Sequence, residues 1–204
     1  ALFAGAVFPL GLAPLDWWPV IPLSLAVLVW LLEGLQPRQA FWRAWWYGLG
    51  FNGVGVSWVY VSIHYFGHTP LWLSVVATSL FVAFLALIFF AIPFWFYRRF
   101  NLDRTVLLTF PAVWVLAEWS KTWFMSGFPW LWAGYGFIDT PLAPLGPVAG
   151  VLGISFVVAL TAVLLRQLVQ RYKFQRGRTL VALVAVWGAE FALGQLPWTQ
   201  VKTD

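Results

Sequence analysis

Charge is what this chain has least of. Of its 204 residues only 9% are Asp, Glu, Lys or Arg, against about 25% in a soluble domain, so it cannot clothe a water-facing surface. Cysteine is absent altogether, which excludes a disulfide, a thiolate metal site and a cysteine nucleophile within these residues. No phosphate-cradling GxGxxG or Walker pattern occurs, no fixed-period repeat, and no linker that would divide the chain. No cleavable signal peptide is recognisable. Residue 1 is Ala inside an apolar run, so an initiator Met and further residues are expected ahead of it.

What is present is apolar. The chain is 62% hydrophobic, with a mean hydropathy of +0.82, the composition of an integral membrane protein. Aromatic residues make up 20%, sixteen of them Trp. Trp and Tyr favour the headgroup layer, where an apolar ring and a polar N–H or O–H both find partners. Anchoring belts account for most of them and account less well for clusters.

A spanning helix needs about 20 mostly apolar residues, because every backbone polar group must be satisfied internally. On that basis the stretches 1–13, 17–35, 41–63, 71–97, 105–119, 145–165 and 178–196 read as helices. The chain is expected to be a single all-α membrane domain, 1–204, with about seven transmembrane helices. Cations then set the orientation. Arg38 and Arg43, then Arg98, Arg99 and Arg104, then Arg166, Arg171, Lys173, Arg176 and Arg178 fall in three loops of one parity. The positive-inside rule puts these in the cytoplasm, with the N-terminus, and puts the C-terminus in the periplasm. The net charge of +5 is thus a topology signal and not a nucleic-acid footprint.

The unusual chemistry lies in the opposite loops, above all in 118–139, EWSKTWFMSGFPWLWAGYGFID. A bare hairpin needs only a short polar turn. This one carries Phe128, Trp130, Trp132 and Tyr135 as aromatic surface, with Trp123 ahead of them, punctuated by Gly127, Pro129, Gly134 and Gly136. Glu118 falls near the outer end of an apolar helix, where an acid either serves function or sits hydrated at the interface. Lys121, the cation placed against the positive-inside bias, offers an i,i+3 ion pair to Glu118 or a contact to a lipid phosphate. Glu190 reads as an interfacial acid and Glu33 as a boundary charge near Arg38. His64 and His68 are four apart, but Gly67 and Pro70 argue for a loop and a zinc site needs a third ligand. Tyr60, Ser62 and His64 are better read as the polar lining of a mouth facing the headgroups.

Four segments, in order, resemble the membrane part of the bacterial apolipoprotein N-acyltransferase family: LAPLDWWP (12–19), FWRAWWYGLGFNGVGVSWVYVSIHYFG (41–67), AVWVLAEW (112–119) and SGFPWLWAGYGFIDTPLAPLGPVAGVLGISF (126–156). The resemblance covers essentially the whole chain. It departs from the family pattern at Lys121, where an Arg is common, and at Gly136-Phe137, within what is commonly GYSQ.

The resemblance implies a Gram-negative inner-membrane enzyme, multi-pass, with its functional loops on the periplasmic face. Such enzymes move an acyl chain from a phospholipid donor to the α-amino group of the diacylglyceryl-cysteine of an apolipoprotein acceptor. A nitrilase-like periplasmic domain with a Glu-Lys-Cys triad carries that chemistry, through a thioester, and is expected after residue 204. No catalytic residue, cofactor or metal is then expected here, and this chain alone should be inactive. The substrate-binding set is Tyr60, His64, Glu118, Lys121, Trp123, Phe128, Pro129, Trp130 and Tyr135, in contact with membrane lipid. The rival classes are a small lipid transporter or flippase and a non-catalytic scaffold; the gene downstream of Asp204 separates them.

Overall fold

Proline and glycine decide where the helices of this chain start and stop. The computed structural model describes residues 1–170 and 173–193, apart from the side chains of 103–104, 173–175, 190–191 and 193. The expectations for Glu190 and for the C-terminal exit at 198–204 lie outside what it describes. Helix α1, Leu2–Val7, tightens into a 3-10 turn, Phe8–Gly11, at Pro9. Helix α2, Val20–Leu32, starts after Pro19 with Pro22 in its first turn, where a missing N–H is harmless. It ends on an extended Glu33 and on Gly34 with φ +66°. Helix α3, Pro37–Gly55, opens with Pro at its first position and a reciprocal capping box between Gln36 and Gln39.

Where the sequence suggested one helix over 41–63, the structure breaks after Gly55. Val56 leaves the helical region, and the chain resumes as Val59–Val61 widening into a π-turn, Ser62–Phe66. The apolar run hides the break, but Gly53 and Gly55 weaken the last turn. Gly55 is also a seat: a Cβ there would lie 2.3 Å from Leu131 Cδ1.

Helix α4, Leu71–Arg99, contains a π-turn at Leu87–Ala91. Helix α5, Val106–Ser120, carries Pro111. Helix α6, Gly146–Gln170, bends at Gly150, and α7 is Lys173–Leu193. Among the described residues every regular element is helical. Helices α4 and α6 are long and apolar enough to cross a membrane, and Leu2–Gly11, α2 and α5 are shorter apolar helices. This arrangement fits a membrane protein.

Two glycines bring α1 and α3 into backbone contact. A Cβ on Gly5 would stand 2.0 Å from the Tyr47 carbonyl oxygen, and one on Gly50 would stand 1.9 Å from that of Leu2. Small residues let helices approach this closely when lipid offers no hydrophobic drive to pack them. Beside this contact Phe8 meets Phe51 at 4.6 Å and Trp114 at 5.7 Å, and Phe51 meets Phe90 at 4.9 Å. That aromatic core joins α1, α3, α4 and α5. Ser24 of α2 donates to the Ala4 carbonyl (2.7 Å) and shares a hydrogen bond with the Tyr47 hydroxyl (2.6 Å).

At the other end of the bundle, cations close the turn between α2 and α3. Arg98 Nε donates to the Leu35 carbonyl (2.8 Å) and Arg43 to that of Leu31 (3.4 Å). Glu33, expected beside Arg38, instead pairs with Arg166 of α6 at 2.7 Å. Sequence could not show this, because the partner is 133 positions away.

The glycine contacts make a sharp contrast testable. Gly50→Val should lower stability by about 3 kcal/mol or more through backbone overlap. Gly53→Ala, whose Cβ meets nothing within 4 Å, should raise it by about 0.5 kcal/mol or more. Thermal unfolding in detergent, followed by size-exclusion recovery, checks both; a stable Gly50→Val protein would refute the close approach.

Candidate functional site

The loop after α5 adopts backbone conformations that side-chain-bearing residues avoid. Met125 (φ 49°), Ser126 (φ 75°) and Leu131 (φ 59°) are all left-handed, as is Gly127 (φ 89°). Each such non-glycine residue costs of order 1 kcal/mol or more and persists only where surrounding structure over-determines it. At Gly127 the conformation is natural, and no side chain would fit: a Cβ would lie 2.5 Å from the Thr122 carbonyl oxygen.

What holds the loop are two charged side chains at the end of α5. Glu118 is 1% exposed. Its Oε1 accepts the Trp114 indole N–H at 3.0 Å, one turn back, and the Ala133 backbone N–H at 2.7 Å across the loop. Lys121 is buried too and donates from Nζ to the Trp130 carbonyl at 3.2 Å. Its ammonium lies 5.6 Å from the centre of the Phe51 ring, within range of a cation–π attraction. Burial pushes the Lys121 ammonium down, to about 8, against the upward pull of the Glu118 carboxylate. The Lys121 carbonyl in turn accepts the Phe128 N–H at 2.6 Å. Beyond Ala133 the loop is fixed to α6, where the Gly134 N–H donates to Ser155 Oγ at 2.9 Å. Gly134 packs so tightly that a Cβ would come within 2.3 Å of the Val151 carbonyl oxygen.

On this frame stand exposed rings. Phe128 and Trp130 stack at 5.1 Å with planes 23° apart, and Trp132 and Tyr135 at 5.5 Å, 3° apart. Trp132 is buried while Tyr135 and Trp130 are about half exposed. Phe128 meets Phe81 of α4 edge-on at 5.4 Å, and Trp130 lies 5.9 Å from Trp58 in the break after α3. The aromatic surface therefore spans three parts of the chain. Pro129 is exposed between the two stacked rings.

The sequence-predicted residues fall into three groups. Glu118, Lys121, Phe128, Pro129 and Trp130 come together as one unit, with Tyr135 next to it. Trp123 stands apart, against Trp119 at 5.5 Å and exposed. Tyr60 and His64 form a separate half-buried pair, stacked at 5.3 Å, shortly after Trp58 in the chain. His64 Nδ1 lies 2.8 Å from the Thr69 carbonyl, so that nitrogen carries the proton and Nε2 is the acceptor. Among the described residues no three His, Cys, Asp or Glu side chains cluster.

Sequence reasoning did not find Trp114, Trp58, Phe81 or Ser155. Trp114 carried a usable signal, lying one helical turn before Glu118 on the same face. Ser155 and Phe81 carried none, since a hydroxyl or a Phe in an apolar helix has no pattern of its own.

Residues 4–164 match the family model for the apolipoprotein N-acyltransferase N-terminal domain. Similar curated proteins, each named apolipoprotein N-acyltransferase, come from Pseudomonas putida (46% identical over 206 residues) and Pseudomonas paraeruginosa (45% over 207). In both the match covers 98% of this chain and 40% of the relative. One from Coxiella burnetii is 41% identical over 210 residues, covering 100% of the chain and 43% of the relative. The chain thus spans about 40% of the length of the curated relatives it matches. It belongs to the apolipoprotein N-acyltransferase family, within that family's N-terminal domain.

Proposed function

We propose that the chain is the membrane part of a phospholipid:apolipoprotein N-acyltransferase and that it binds and positions the lipid substrates. The observation that carries the reading is the pair of ring stacks, each with one half-exposed ring, Trp130 and Tyr135, on a loop clamped by buried Glu118 and Lys121. The topology that goes with it has about seven crossings of a bacterial inner membrane, the N-terminus in the cytoplasm and this loop at the periplasmic face. The acyl-transfer chemistry belongs to a nitrilase-like domain beyond residue 204.

Inside a bilayer an acyl chain gains little by leaving lipid tails for apolar protein, because both are equally dry. What fixed rings contribute is a flat wall with many small dispersion contacts, which removes chain disorder before reaction. Holding a donor ester near a nucleophile turns a chance encounter into an oriented, effectively unimolecular step. Flat rings impose no hydrogen-bond pattern, which suits a site that receives a phospholipid first and a diacylated polypeptide second. In this reading Phe128, Pro129, Trp130, Tyr135 and Trp123 touch chains, Tyr60 and His64 line the headgroup mouth, and Glu118 and Lys121 set the position of the loop.

Trp130→Ala combined with Tyr135→Ala in the intact gene product should reduce acyl transfer about tenfold or more, mostly as a raised KM for the phospholipid donor. Unchanged kinetics would remove the lipid role. For the clamp, Glu118→Ala strands the Ala133 amide and the Trp114 indole, at about 1–3 kcal/mol each. It should therefore speed limited proteolysis within 121–133 and depress transfer, while Glu118→Gln keeps an acceptor and stays nearer wild type. Equal proteolysis of Glu118→Ala and wild type would show that the carboxylate does not hold the loop.

A further inference from the structure

Glu118 uses only half of its carboxylate. Oε1 receives two N–H donors and the Ser155 hydroxyl lies close enough to act on the carboxylate, whereas Oε2, inaccessible to solvent, makes no hydrogen bond of normal geometry. A carboxylate oxygen buried without a donor forfeits its hydration, so such atoms are nearly always found to be satisfied by ordered water where protein donors are missing. Lys121 shows the complementary surplus. Its ammonium has three N–H donors, and the Trp130 carbonyl takes one.

Both side chains line one small, partly open pocket, whose remaining walls are Phe89 and Phe90 of α4 and Trp114 and Ala117 of α5. Its space for the centre of a water molecule is about 10 Å³, close to the roughly 10–15 Å³ that one water requires. The chamber has room for one water and for no larger ligand. Its other walls are Phe, Ala and Trp side chains whose one polar group, the Trp114 N–H, is already bonded to Glu118 Oε1, so a guest there bonds to Glu118 and Lys121. A dry apolar cavity of this size would stay empty, but a chamber with an unused acceptor and unused donors on its wall does not fit that description.

We infer that this chamber is a hydration site, in which a single water accepts from Lys121 Nζ and donates to Glu118 Oε2. The bridge makes one unit of two side chains that grip the loop at different points, Ala133 and Trp130. It also joins two buried ionisable side chains that sit three residues apart and form no ion pair with each other. The site stands on the geometry of α4, α5 and the loop and does not rest on the lipid role, so either can fail without the other.

The test is a structure of the intact gene product in lipid nanodiscs at a resolution that shows ordered water. A density peak within hydrogen-bonding distance of both Glu118 Oε2 and Lys121 Nζ supports the site; both side chains well ordered with no peak between them overturns it. A double-mutant cycle with Glu118→Gln and Lys121→Met, read as the shift in Tm, supplies the second measurement. The double variant should melt no lower than the worse single variant, and additive losses in Tm contradict a shared bridge; because the two charges also attract directly, coupling does not stand in for the density. Should Lys121→Met fail to fold, the wild-type density decides alone.

Discussion

A single oxygen atom, Oε1 of Glu118, gathers the Trp114 indole and the Ala133 amide, and the shape of the aromatic loop depends on it. Backbone at Met125, Ser126 and Leu131 is held in conformations that a free loop would abandon. Hydrogen bonds to an ionised or strongly polar acceptor in a dry environment are among the few contacts strong enough to offset that. Removing the carboxylate would release more than one bond: the loop would lose its reason to present Trp130 and Tyr135 as it does.

The clamp works because its base is rigid. Phe8, Phe51, Phe90 and Trp114 pack ring against ring beneath Lys121 and Glu118, and α1 and α3 touch backbone to backbone at Gly5 and Gly50. A buried charge on a yielding support would reorient until it reached water. Here the support is anchored at the opposite end as well, where Arg166 grips Glu33 and Arg98 caps the carbonyl of Leu35. The bundle is thus fastened by polar groups at both ends and by rings and glycines between.

Much of this was legible in the sequence, and the limits have physical causes. The helical stretches follow apolar length, and their ends follow Pro19, Pro22, Gly34 and Pro37. The loop at 118–139 announced itself by crowding aromatics with glycine. The break after Gly55 stayed hidden because an apolar residue suits a membrane equally well in a helix and out of one. The inward aim of Glu118 and Lys121 was hidden as well. In a helix apolar all round, no stripe of polar residues marks which face points at protein and which at lipid. Long-range partners such as Glu33 with Arg166, or Gly134 with Ser155, follow from topology and leave no local trace.

The π-turn of α4 has its own meaning. One residue added to an α-helix swings everything beyond it by about 100°, unless a widened turn absorbs it. With Leu87–Ala91 taking up that residue, the two halves of α4 hold independent azimuths. Beyond the turn Phe94 packs on Phe110 of α5 at 5.6 Å, and before it Phe81 faces Phe128. A single helix thereby acts as a two-dial instrument, one dial set to the core and one to the loop.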